Sequence, residues 1–286
     1  MTTADGATPL CIAAKEGHEA VVALLLAPWV GTDSNQAMTD GGATPLSIAA
    51  RNGHEAVVAR LLAPGVETDP NQARTDTGIT PLLTSALNGH EAVVARLLAP
   101  GVGTDPNQAT TDGGATPLLA AAGMGHEAVV ALLLAPGVRA DPNKATTDGG
   151  ATPLWAAAGK GHEAVVALLL APGVRADPNK ARTDTGTTPL LIAAEEGHEA
   201  VAALLLAPGV GADPNKACDG NTPLFAAAWK GHVAVVAQLL APGVKTKPNK
   251  AATDGQTPLD IARSRRHTKV VKLLLSSGAK KGRRPR

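Results

Sequence analysis

The tripeptide Thr-Pro-Leu occurs eight times, beginning at Thr8, Thr44, Thr80, Thr116, Thr152, Thr188, Thr222 and Thr257. Five of the spacings are 36 residues and the last two are 34 and 35. Ten residues after each of those threonines stands a histidine: His18, His54, His90, His126, His162, His198, His232 and His267, the only histidines in the chain. So strict a period means that one supersecondary unit is built eight times. Its copies must bury one another's apolar faces, because none of them can make a core alone.

Each unit reads as two short helices and a loop. Thr8 is suited to the N-cap, where its hydroxyl accepts from a first-turn N–H, and Pro9 to N1, where its missing N–H removes no bond. Leu10, Ala13 and Ala14 then share a face, and Gly17 ends the helix as a residue able to take positive φ. In a second helix His18, Val21, Val22 and Leu25 fall on one stripe, and Pro28 closes it. The remainder, such as ADPNKATTDGGA at 140–151, is rich in turn formers and has no helical period. The only aromatic residues are Trp29, Trp155, Phe225 and Trp229. The apolar content is otherwise Ala, Leu and Val, which suits thin, closely packed helical layers.

TPLxxAAxxGHxxVVxxLL followed by a G-x-D-x-N loop resembles the ankyrin repeat, and the resemblance runs from the loop before Thr8 to about Gly278. It implies an all-α solenoid over residues 1–278, with units starting near 8, 44, 80, 116, 152, 188, 222 and 257. It also implies hairpin-like fingers projecting from the helix pairs and a concave recognition surface. Three departures stand out. Most units have 36 residues where the family has 33, so the fingers should be long. The residue after TPL, often His in the family, is Cys11, Ser47, Leu83, Leu119, Trp155, Leu191, Phe225 or Asp260 here. Ala20, Ala23 and Ala27 occupy outer positions of the second helix that are often charged, which predicts a bland convex side.

The ends differ. Asp260 is a capping-box acid at N3, and Arg263, Arg265, Arg266, Lys269 and Lys272 supply the polar outer face of a terminal repeat. The first unit keeps Ile12 and Val21, and Met1 falls inside a would-be loop. A monomer is therefore expected unless something covers that flank, or the array begins further upstream. Residues 1–151 carry seven basic and fifteen acidic side chains, residues 152–256 nine of each, and residues 257–286 ten basic and one acidic. Residues 279–286 read as a basic, disordered tail that solubilises the chain, with a nuclear-import signal, which such a run resembles, as the alternative.

No apolar run is long enough to span a bilayer, and the N-terminus lacks the charge and apolar stretch of a signal peptide. Two cysteines, Cys11 and Cys218, belong to the first and sixth units, too far apart for a disulfide. A reducing compartment, cytosol or nucleus, is the expectation. One histidine per layer, at roughly 8–10 Å separation, cannot converge on a zinc ion, and HEAVV lacks the second histidine of a zincin. Ala145 and Thr146 spoil the acidic loop 141–149 as an EF-hand. No GxGxxG, Walker loop or GxSxG occurs, so neither an enzyme nor a cofactor is expected.

The ankyrin resemblance implies binding of another protein. The resemblance places partner contacts at finger tips and at two exposed positions ending each first helix. Those pairs begin with Lys15 and Glu16 in the first unit, and the candidates taken from them are Arg51, Leu87, Met124, Lys160, Glu195, Trp229 and Lys230. Trp229 is the sharpest of them, because tryptophan buries a large area at small entropic cost, with Phe225 four residues earlier as a support. Trp155, at the inner position, reads as packing. The alternative is an anionic ligand or nucleic acid at the basic end: Lys245, Lys247 and Lys250 with Lys280, Lys281, Arg283 and Arg284. Against nucleic acid, no aromatics are interleaved there for base stacking.

Overall fold

The computed structural model describes residues 6–280 and 282, and sixteen helices lie among them in eight pairs. They divide between two compact units, Met1–Thr147 and Asp148–Arg286. In the first unit α1 (Pro9–Glu16) pairs with α2 (Glu19–Leu25) and α3 (Pro45–Asn52) with α4 (Glu55–Leu61). There α5 (Pro81–Leu87) pairs with α6 (Glu91–Leu97) and α7 (Pro117–Met124) with α8 (Glu127–Leu133). In the second, α9 (Pro153–Lys160) pairs with α10 (Glu163–Leu169) and α11 (Pro189–Glu196) with α12 (Glu199–Leu205). It is completed by α13 (Pro223–Lys230) with α14 (Val233–Leu239) and α15 (Pro258–Ser264) with α16 (Thr268–Ser276). Within each unit first helices pack on first helices and second on second, each touching its neighbours in the stack.

The caps are local chemistry. In all eight pairs the threonine hydroxyl accepts the N–H three residues on, at 3.1 Å for Cys11 and 3.3 Å for Asp260. Asp260 also returns a carboxylate to the Thr257 N–H and completes the expected capping box. Gly17, Gly53, Gly125 and Gly161 end their helices in the left-handed region. Helices of seven to nine residues are too short to persist alone, so burial between layers must hold them. The TPL leucines, Leu10, Leu46, Leu82, Leu118, Leu154, Leu190, Leu224 and Leu259, are all buried. Alanine pairs such as Ala121–Ala122 and Ala157–Ala158 beside them let the backbones approach.

The fingers are hairpin-like turns, as where the Arg74 N–H donates to the Ile79 carbonyl at 3.0 Å and the Gly78 N–H to the Arg74 carbonyl at 2.9 Å. One isolated bridge, Cys218 with Asn221, is the only β-pairing among the described residues. Their order comes from an asparagine ladder absent from the expectation. Asn71 accepts from the Asp105 N–H at 2.7 Å through Oδ1 and donates to the Gly103 carbonyl at 2.9 Å. Asn35, Asn107, Asn179 and Asn215 bind the next layer in the same way. The lysine after this asparagine is tied down too: Lys144, Lys216 and Lys250 each donate to the asparagine carbonyl one layer back.

Both ends carry findings. In the first pair Val21 is 44% exposed and Ile12 46%, whereas Val57 and Val93, the counterparts of Val21, are fully buried by the layer before them. At the other end Arg263, Arg265, Arg266, Lys269 and Lys272 are exposed. Gly278 is the expected end of ordered chain, but the residues after it are held. Ala279 is buried and donates to the Leu274 carbonyl, Lys280 donates its N–H to Asn249 Oδ1, and Gly282 donates to Asp260 Oδ2 at 2.8 Å. The start of the tail thus takes the place on Asn249 that a next layer's loop would occupy. Charge composition reports on side chains and is blind to such backbone donors. Lys281, Arg283, Arg284 and Arg286 lie outside the described residues.

Candidate binding face on the first-helix ends

The histidines turn out to be positioning groups for this face. The expectation placed them on the buried stripe of the second helix. They sit instead just before it, and six of them reach back to the preceding layer of their own unit. His54 Nε2 lies 2.9 Å from the Lys15 carbonyl, His90 Nε2 2.9 Å from that of Arg51, and His126 Nε2 3.0 Å from that of Leu87. A carbonyl only accepts, so Nε2 carries the proton in each. In the second unit His198, His232 and His267 do the same for Gly159, Glu195 and Trp229. Each imidazole also ties up an orphan carbonyl at the end of a first helix. The backbone beneath the candidate side chains is therefore fixed from the following layer.

Arg51, Leu87 and Met124 stand exposed at the ends of α3, α5 and α7, and Lys160, Trp229 and Lys230 at the ends of α9 and α13. Glu195 on α11 is half-buried, and its carboxylate lies 3.7 Å from Lys230 Nζ. Trp229 is 39% exposed, with the Arg265 guanidinium 5.3 Å from its ring centroid. Its neighbour is thus a cation from the following pair. Phe225, its anticipated support, is buried in the core.

Three features lay beyond sequence reasoning. In the first unit the helix ends and fingers enclose an open groove of about 820 Å³, with Lys15, Arg51, Ile48, Ile79 and Leu87 among its walls. Arg74 on a finger is committed to Asp76 at 2.5 Å, and that hydrogen bond holds the Asp76 carboxyl well below the usual carboxylate range. Trp155 is partly exposed and packs under the next finger. Its Nε1 donates to Thr187 at 3.1 Å and Arg182 lies 4.7 Å from its ring. Arg182 in turn holds Asp184, whose carboxyl titrates at about 2. The only hint in sequence was the Arg-x-Asp spacing at 74–76 and 182–184.

The Cys218 thiol donates to the Thr185 carbonyl, and burial pushes its pKa up, aided by Asp219. That keeps it protonated and favours its reading as a packing residue. No helix among the described residues is long and apolar enough to cross a membrane.

A family model described as ankyrin repeats (3 copies) matches residues 1–73, 64–146, 138–218 and 205–284. A crystal structure of the human ASB11 ankyrin repeat domain is similar to this chain, with a TM-score of 0.67 and 28% sequence identity. The similarity covers 82% of this chain and 98% of that one. A search of curated proteins found no match.

Proposed function

The chain belongs to the ankyrin repeat family, and on that premise we propose that it is a non-enzymatic adaptor holding another protein on its first-helix ends and finger tips. Ankyrin repeats are generally protein-interaction modules, and stacked repeats create extended recognition surfaces. One observation carries the choice of face. Apart from the first pair with its loop and Leu275, the exposed large apolar side chains among the described residues are Leu87, Met124 and Trp229. All three stand at the end of a first helix, as do Arg51 in the first unit and Lys160 and Lys230 in the second. Exposed apolar groups ringed by charge are the usual composition of a contact surface. Against the rival reading, an anionic ligand or nucleic acid at the basic end, no aromatic side chains are interleaved with Lys245, Lys247 and Lys250 for base stacking.

Trp229→Ala tests this reading. Binding of the partner recovered from native extract should weaken by about 2 kcal/mol or more. The melting temperature should move little, since the lost cation–π contact is worth only about 0.5–1 kcal/mol at an exposed site. A large fall in melting temperature with undiminished binding would assign Trp229 to packing. Salt separates the rival: a phosphate-driven complex weakens steeply as salt rises, an aromatic-anchored one much less.

A further inference from the structure

The groove of the first unit has walls of different charge. Lys15 and Arg51 end consecutive first helices, both are exposed, and neither forms an ion pair among the described residues. The finger wall is closed to carboxylates: Arg74 is bound to Asp76 and also faces Asp40. Ile48 and Ile79 also line the groove, with exposed Leu87 one layer beyond Arg51. A carboxylate entering the groove is drawn to the helix ends and repelled from the fingers. An apolar side chain beside it finds Leu87.

We propose that this groove takes an extended segment of a partner protein bearing two carboxylates followed by a bulky apolar side chain, set against Lys15, Arg51 and Leu87 in that order. It rests on the reading of the helix-end row as the binding face and adds the partner's chemistry and register. Consecutive layers lie roughly 8–10 Å apart, and an extended segment in the polyproline-II form advances about 3.1 Å per residue with about three residues per turn, so side chains on one face recur every third residue. Residues 1–151 carry a net charge of −8, seven basic against fifteen acidic, which opposes an acidic partner at long range. At physiological salt the Debye length of about 8 Å screens that field while leaving contact pairs largely intact.

The test selects random displayed peptides, about twelve residues long, against the full chain. The expected peptides carry acidic, acidic and apolar residues at intervals of three. Arg51→Glu should weaken them about tenfold or more, as should Leu87→Asp, with circular dichroism unchanged for both. Failure to enrich that pattern, or enriched peptides indifferent to Arg51→Glu, would overturn the inference. Enriched peptides that instead lose affinity with Met124→Ser or Trp229→Ala would leave the helix-end row as the binding face and reject only the acidic register. Specific peptides indifferent to all four substitutions would reject both.

Discussion

Truncating Leu118 to alanine is expected to destabilise the chain by about 2–5 kcal/mol. Leu118 follows the N1 proline of α7 and is 1% exposed. Its flanking core residues on the helix, Ala121 and Ala122, are too small to move into the space it leaves. Relaxation is what lowers the cost of a cavity, so a core built from alanines should put this substitution toward the upper part of the range. Because contacts run only between neighbouring layers, the loss should concentrate in the pairs next to α7 within its unit. Urea titration with hydrogen exchange would measure both the size and the spread. A change below about 1 kcal/mol would mean that the layer leucines are not the principal core.

The second large effect is at Gly53. Its φ is +74°, and a Cβ built there would stand 2.7 Å from His90 Nδ1. Gly53→Ala therefore combines left-handed backbone strain of about 1–2 kcal/mol with displacement of the imidazole that bonds the Arg51 carbonyl. Losing that bond adds about 1 kcal/mol, so roughly 2–3 kcal/mol in all. Gly101→Ala is the control: its φ is +89°, but nothing lies within 4 Å of the new Cβ. It should show the backbone contribution alone. Equal losses for the two would show that the histidine contact across the layer contributes nothing to stability.

The helices were legible because threonine caps, N1 prolines and terminal glycines act within a few residues of themselves. The face was legible only as a row of positions. Which side chains are free there depends on neighbours 27 to 36 residues away: Arg265 on Trp229, Lys230 on Glu195, Arg182 on Trp155. The histidines show the same limit. Their helical phase suggested burial, whereas six of the rings, His90 and His126 among them, bond a helix-end carbonyl in the preceding layer of their own unit. Lys280 was read through the charge of the tail, whereas its backbone N–H reaches Asn249 and that of Gly282 reaches Asp260.

The most direct measurement of the central claim is position-specific photo-crosslinking in native extract. A photoreactive residue placed singly at Leu87, Met124 or Lys160 reports on the proposed binding face. The same residue at Ala56, Ala128 or Ala200, all exposed on second helices, reports on the opposite elements. The face positions should label a common partner, and excess unmodified chain should abolish the labelling, while the second-helix positions stay silent. Competable labelling from Ala56, Ala128 and Ala200, with none from the helix-end row, would contradict the account.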